Sequence, residues 1–294
     1  MESCDPLDPA PAHAAQSEEM LAKPQRPKLG QNFLVSSTAQ AAIADALGDM
    51  AHRTVVEIGP GRGAITSILA ERAHRLIAIE LDRDLAPRLR EQLAGRENVL
   101  ILEQDILSTD LGALRTPGED KFLVVGNLPY YITSDILLHV FAAHQHIERA
   151  VIMIQREVAA RVAASPGTRD YGLLSATTQI YARVEKLFTL PPGAFSPPPQ
   201  VHSTVLRLTM APHFDELQLT PTPDQPDPTA AFISFLRIGF AQKRKMLAKN
   251  LRTAGYDAGA IAAAFASCNI SPQSRAEQLD LPTMACLFRT LGEH

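Results

Sequence analysis

No stretch of this sequence stays apolar long enough to cross a bilayer, and no basic segment leading into an apolar core opens it. Neither a membrane span nor a secretory leader is expected, so the chain reads as cytoplasmic with no membrane partner. Cysteine is scarce: Cys4, Cys268 and Cys286 are odd in number and have no metal-ligand spacing. Free thiols in a reducing compartment are expected, and no bound metal. Positive charge is not in excess either. Lys and Arg number 28 against 32 Asp and Glu, a net charge of −4 that argues mildly against nucleic-acid binding by the surface as a whole. No internal repeat is visible. What remains is an ordinary composition, 46% hydrophobic and 20% charged, over 294 residues, enough for one large domain and a small one.

The chain is organised around Val125-Gly126-Asn127-Leu128-Pro129-Tyr130-Tyr131. The apolar run Phe122–Val125 reads as a strand buried on both faces and ending at the glycine. The next four residues then fall at its carboxyl end, where open α/β sheets bind ligands. There the Asn127 side-chain oxygen and the Leu128 carbonyl, released as the strand stops pairing, can accept hydrogen bonds. Pro129 stiffens the corner, and Tyr130 offers a stacking face with a polar tip. Such a set grips a flat ring that bears an amino group. A plain strand-to-loop exit is the alternative for the tetrad alone.

Upstream, strand Thr54–Ile58 runs into Gly59-Pro60-Gly61-Arg62-Gly63-Ala64 and then a helical pattern from Ile65 to Ala70. Strand, glycine turn and helix form a nucleotide-binding crossover. Gly59, Gly61 and Ala64 also satisfy the dinucleotide pattern, and the next strand, Arg75–Ile79, ends in Glu80, where an acid meets ribose hydroxyls. A NAD site would show this much. A third strand, Val99–Leu102, leads to Gln104-Asp105, an acid suited to accept from an adenine amino group. Nicotinamide enzymes need no amide–proline–aromatic clamp; amino-group methyltransferases do.

In this order, Gln31-Asn32-Phe33-Leu34, Glu57-Ile58-Gly59-Pro60-Gly61, Glu80-Leu81-Asp82-Arg83-Asp84, Gln104-Asp105 and Asn127-Leu128-Pro129-Tyr130 resemble the successive motifs of the rRNA adenine N6-dimethyltransferases. Leu128 within the tetrad is similar to the enzymes of the small subunit; the resistance methylases of large-subunit rRNA usually carry Ile there. The resemblance runs from about Arg26 to the C-terminus and includes Gln155-Arg156-Glu157-Val158, Tyr171–Ser175, Phe195–Ser203 and Ser271–Leu279. It departs at Tyr131, where many relatives carry Asn, and at the variable Arg62-Gly63.

The resemblance implies a Rossmann-like α/β methyltransferase fold with a seven-stranded sheet, completed by strand patterns at Val151–Ile154, Val184–Leu190 and Val201–Leu208, and a small helical C-terminal domain. It implies that S-adenosylmethionine donates two methyls to each of two adjacent adenosines in a 3′-terminal hairpin of 16S rRNA. The expected partners are small-subunit rRNA and the pre-ribosomal 30S particle, with a role in small-subunit biogenesis and a monomeric enzyme. For the cofactor it implies Asn32, Leu34, Gly59, Gly61, Glu80, Asp105 and Asn127. For catalysis it implies Asn127, Leu128, Pro129 and Tyr130, with Phe195 as a second stacking face held by the triple proline that follows; a buried Phe in a Pro-rich connection is the plainer reading.

Residues 1–25 read as a disordered tail, 26–210 as the methyltransferase domain, 211–228 as an acid- and Pro-rich linker and 229–294 as the helical domain. Arg237, Lys243, Arg244, Lys245, Lys249 and Arg252 fall in a window without one Asp or Glu. A solvated face is the usual meaning of a charge run, but an unopposed one in an acidic chain points to phosphates of RNA. Two other functions share much of this pattern: a large-subunit rRNA methylase conferring antibiotic resistance, and a non-catalytic rRNA-binding assembly factor.

Overall fold

Residues 32–219, 221 and 226–292 are described by a computed structural model. The expected tail, the lead-in from Arg26 to Gln31, and positions 220 and 222–225 of the expected linker lie outside the described residues.

The first half of the chain alternates strand and helix: β1 (Phe33–Leu34), α1 (Ser37–Ala46), β2 (Thr54–Ile58), α2 (Thr66–Arg72), β3 (Arg75–Glu80), α3 (Leu85–Gln92) and β4 (Val99–Glu103). There follow β5 (Phe122–Asn127), α4 (Thr133–Ala142), β6 (Ile147–Gln155), α5 (Arg156–Val162), α6 (Leu173–Tyr181), β7 (Ala182–Leu190), β8 (Phe195–Ser196) and β9 (Ser203–Met210). Four helices close the chain: α7 (Pro228–Phe240), α8 (Leu247–Thr253), α9 (Ala258–Ser267) and α10 (Leu281–Gly292). Ser36 caps α1 by accepting from Ala39 N, as a serine before an apolar helical pattern should.

Seven strands form one sheet in the order β4-β3-β2-β5-β6-β9-β7. β2 to β6 run parallel, and β9 is antiparallel to both β6 and β7. The inner strands β2, β3 and β5 are apolar almost throughout because both faces are covered, whereas the edge strand β7 carries exposed Arg183, Glu185 and Lys186. Along β2, Val55 enters the layer shared with Ile43 and Leu69 of α1 and α2. Val56 and Ile58 enter the opposite layer with Ile136 and Val140 of α4. From β2 the chain winds outward to β3 and β4, then returns to place β5 on the other side of β2. That reversal opens a crevice at the carboxyl ends of β2 and β5, where Ile58 stands opposite Gly126. A Cβ on Gly126 would lie 2.9 Å from the Ile58 carbonyl oxygen, so only glycine lets the two strand ends lie this close.

The strand that carries the tetrad is longer than its sequence suggests. β5 does not stop at Gly126: Asn127 pairs with Met153, and Leu128 N still donates to Met153 O at 3.0 Å. β6 is nine residues long and keeps a partner in reach beyond the apolar run.

The C-terminal helices share a core with the sheet-bearing part. Phe232, Leu236, Leu247 and Phe265 cluster with Tyr171 and Ile180, and Leu217 and Leu219 from the expected linker are buried in the same cluster. Arg289 Nη1 fixes that segment by donating to Leu217 O at 2.5 Å. The expectation of free thiols is corrected for two of the three cysteines: Cys268 and Cys286 form a disulfide, with Cα atoms 6.0 Å apart. Their separation of 18 matches no motif; the packing of α9 on α10 brings them together. By chain entropy a bridge over a loop of this size contributes about 3 kcal/mol.

Candidate functional site

The glycine turn after β2 and the acid after β3 are locked together. Gly59 and Gly61 hold positive φ (65° and 60°), a backbone that bulkier residues resist. The turn they make aims Gly61 N–H at Glu80 Oε2, 2.9 Å away, while Glu80 Oε1 accepts from Asp82 N at 2.9 Å. Glu80 thus staples the turn to the end of β3, and each oxygen keeps a further lone pair. Burial raises its pKa above the usual carboxylate range, although the backbone hydrogen bonds from Asp82 and Gly61 act against that. Gln104 N donates to Glu80 O, which sets Asp105 at the adjoining strand end. Asp105 Oδ1 caps a single turn by accepting from Leu107 N at 2.9 Å. The expected cofactor acids therefore stand at neighbouring strand ends, beside the expected glycines.

Residues 32–34 close this region from above. A Cβ on Gly61 would meet the Phe33 ring at 3.2 Å. Arg62, which the sequence marked only as variable, lies over the same ring, 4.2 Å from its centroid. Leu34 is buried and pairs with Phe195.

Asn127 is oriented by a single bond. Its Nδ2 donates to the Asn32 carbonyl at 3.2 Å. A carbonyl only accepts, so the amide nitrogen must face Asn32 and the oxygen Oδ1 is turned away from it. Among the described residues, no donor reaches the Leu128 carbonyl. Two uncommitted acceptors therefore belong to successive residues at the end of β5, the number a primary aromatic amine requires. The Pro129 carbonyl accepts from Thr133 Oγ1 at 2.8 Å, which ties the rigid corner to α4. The Tyr130 hydroxyl lies 3.3 Å from Ser203 Oγ, a tether to the end of the Pro-rich segment that no feature of the sequence signalled. Tyr131 is 65% exposed.

Two expectations need revision. Phe195 is only 3% exposed and belongs to the apolar layer with Leu34, Ala194 and Val205, so its ring presents no open face in this structure. Pairing with β1 pulls it inward. The basic window is also not wholly unopposed: Lys243 Nζ donates to Arg169 O and lies 3.6 Å from the Glu277 carboxylate, contributed from far along the chain. Arg237, Arg244, Lys245 and Lys249 are exposed and form no ion pair among the described residues.

Glu57 stands out among the buried groups. It sits in β2 two residues before Gly59, 3% exposed, and burial pushes its carboxyl from an ordinary 4.5 up to about 7, with nearby Glu80 adding to the shift. Thr66 lies beside it and moderates the shift, yet neither Glu57 Oε2 nor Thr66 Oγ1 completes a hydrogen bond of normal geometry. An acid within a doubly buried strand was visible in the sequence as the one charge in Val55-Val56-Glu57-Ile58. These orphaned atoms leave an unmet demand for a polar, proton-donating group beneath the glycine turn. S-adenosylmethionine fits it, since the cofactor carries an ammonium as well as ribose hydroxyls and an adenine amine for Glu80 and Asp105.

The burial has a measurable consequence. Between pH 4.5 and about 7 the unfolded chain has released the Glu57 proton and the folded chain has not. Stability then falls by about 1.4 kcal/mol per pH unit, about 3 kcal/mol over the window. Glu80 shifts the same way, so the difference between wild type and Glu57→Gln isolates Glu57. Urea midpoints of the cofactor-free protein should decline more steeply in the wild type from pH 4.5 to 7 than in Glu57→Gln. Parallel curves would contradict the assignment.

Residues 22–291 match the family model described as ribosomal RNA adenine dimethylase. The chain is 62% identical to a ribosomal RNA small subunit methyltransferase A from Acidobacterium capsulatum, covering 91% of this chain and 92% of that protein. It is 51% identical to the protein of the same name from Koribacter versatilis, over 96% and 99%. Among solved structures, a dimethyladenosine transferase from Plasmodium falciparum shares the fold with a TM-score of 0.73 at 22% identity, over 88% of this chain and 98% of that one. A 23S rRNA methyltransferase, ErmE, aligns with a TM-score of 0.63 at 26% identity, over 89% and 100%.

Proposed function

We propose, from the premise that this chain belongs to the ribosomal RNA adenine dimethylase family, that it dimethylates the N6 amines of two adjacent adenosines in a 3′-terminal hairpin of 16S rRNA. It is an S-adenosylmethionine-dependent methyltransferase that acts as a monomer on the pre-ribosomal 30S particle. The observation that carries the reading is the Asn127–Asn32 bond, which turns the amide oxygen away from Asn32 and leaves it uncommitted, like the Leu128 carbonyl.

An exocyclic adenine amine is a poor nucleophile because its lone pair is delocalised into the ring. Asn127 Oδ1 and the Leu128 carbonyl accept its two N–H bonds, which favours a pyramidal nitrogen with the lone pair exposed. When bound, the cofactor supplies an electrophilic methyl group on a sulfonium. Gly59, Gly61, Glu80 and Asp105 hold the cofactor, and Asn32 and Leu34 cover it. The chain's contribution is chiefly alignment, a source of several kcal/mol in a well-held reaction. No strong base stands at the clamp, so the surplus proton of the methylated amine passes to solvent.

The target base leaves its stack to reach the clamp, and stacking on Tyr130 recovers about 1–3 kcal/mol. Exposed Arg237, Arg244, Lys245 and Lys249 hold phosphates of the rRNA, with Lys243 partly committed to Glu277. A large-subunit target is the second reading, favoured by the likeness to the 23S rRNA methyltransferase.

Tritiated S-adenosylmethionine decides between them. Offered under-methylated small subunits and, separately, protein-free large-subunit rRNA, the protein should label only the former, as dimethyladenosine at two neighbouring positions. Label only in large-subunit rRNA would move the protein to the other class. Binding of rRNA with no label would make it an assembly factor.

A further inference from the structure

On the α5 side of the sheet, at its outer edge, lies a cavity of about 280 Å³ lined by Arg156, Lys186, Phe188, Thr189 and Thr204, with alanines of α5. We infer that this cavity holds a phosphodiester of the rRNA strand next to the target adenosine; the inference rests on the rRNA reading above.

The charge is free to act. Arg156 and Lys186 are exposed, and neither forms an ion pair among the described residues. Glu185, the acid next to Lys186, is held by Arg207 at 2.6 Å. Glu157, next to Arg156, is not part of the lining. The two cations thus face one recess without a resident anion, inside a chain of net charge −4.

The neutral part of the lining suits the same ligand. Thr189 Oγ1 and Thr204 Oγ1 are 2.9 Å apart, so one hydroxyl proton lies between them and the other remains to donate outward. A β-bulge between Lys186 and Phe188 breaks the register with β9 and opens the strand at this point. Ala159 and Ala160 of α5 give an apolar wall against which a sugar can rest. The volume is at the small end of ligand pockets: it admits a phosphate with its sugar, not a base pair.

Position links the cavity to the clamp. Gln155 and Leu190 both pair with Ser203, whose hydroxyl meets Tyr130. Arg156, Thr189 and Thr204 each adjoin that row, so the cavity opens at the same end of the sheet as Asn127. It lies three strand spacings from β5, about 14 Å. A strand of RNA whose adenosine sits in the clamp can reach it within a few nucleotides.

The test compares the full chain with Arg156→Ala, Lys186→Ala, the double variant and Arg156→Lys. Binding of a small-subunit rRNA fragment is followed across KCl concentrations, with S-adenosylmethionine affinity as the control for folding. The double variant should bind roughly tenfold more weakly at moderate salt. Its log–log salt slope should be shallower by about 0.7 to 0.9 for each lost phosphate contact. Arg156→Lys should restore most of both, and inorganic phosphate at matched ionic strength should compete poorly. A double variant with the affinity and slope of an active wild type overturns the assignment alone. Equal competition by free phosphate overturns the choice of RNA. A wild type that neither binds nor methylates the rRNA brings down this inference and the proposed function together.

Discussion

Asn127→Ala should slow methyl transfer to small-subunit rRNA by about 10²- to 10³-fold, the usual loss when one preorganised polar partner of a reacting group is removed. The expected target amine needs two acceptors, and alanine leaves it only the Leu128 carbonyl. The loss should fall on the transfer step. Cofactor affinity should change no more than a few-fold, because the glycine turn and Glu80 are held by their own bonds. Asn127→Asp separates orientation from acceptor strength. It keeps an acceptor but sets a carboxylate oxygen against the Asn32 carbonyl, where Nδ2 now donates, so the side chain should swing away and activity should stay low. Single-turnover transfer with saturating rRNA, beside calorimetric cofactor binding, reads both parts. Turnover of Asn127→Ala within tenfold of wild type would sink the proposed role.

For Glu80→Ala the order of effects reverses. The carboxylate accepts from both Gly61 N and Asp82 N, so alanine releases the turn, strands two backbone donors and deletes the expected ribose partner. Hydrogen bonds to a charged group contribute about 1.5–3 kcal/mol each, and cofactor Kd should rise roughly 100-fold. Glu80→Gln should cost roughly tenfold, since one oxygen still accepts while the amide NH2 meets the other donor. An unchanged Kd with impaired transfer would exchange the roles given to Glu80 and Asn127.

The parts of this fold written locally were legible. Strands at 54, 75, 99 and 122 announce themselves because a sheet covered on both faces needs uninterrupted apolar runs, and the candidates Gly59, Glu80, Asp105 and Asn127 each stand at the end of such a run. What escaped depends on distant partners. β1 and β8 are two residues each, paired across some 160 positions of chain, too short for any periodicity. The same pairing buries Phe195, which sequence reasoning placed in the open. α4 follows the aromatic pair directly, and its apolar residues gave no separate signal beside the motif. Lys243 looked unopposed because Glu277 is remote in sequence and adjacent only in the folded helices. The cysteine pair was hidden for the same reason.

The short β1–β8 ribbon gives the expected cofactor region and the expected clamp one shared support. Residues 32–34 touch the glycine turn through Phe33, the clamp through Asn32, and the segment before the triple proline through Leu34. Val35 N extends the ribbon by donating to Ala194 O at 2.9 Å. Thermodynamic reciprocity follows: if cofactor ordering of this segment strengthens rRNA binding by some factor, rRNA must strengthen cofactor binding by the same factor. Cofactor titrations with and without bound rRNA would measure that shared factor directly.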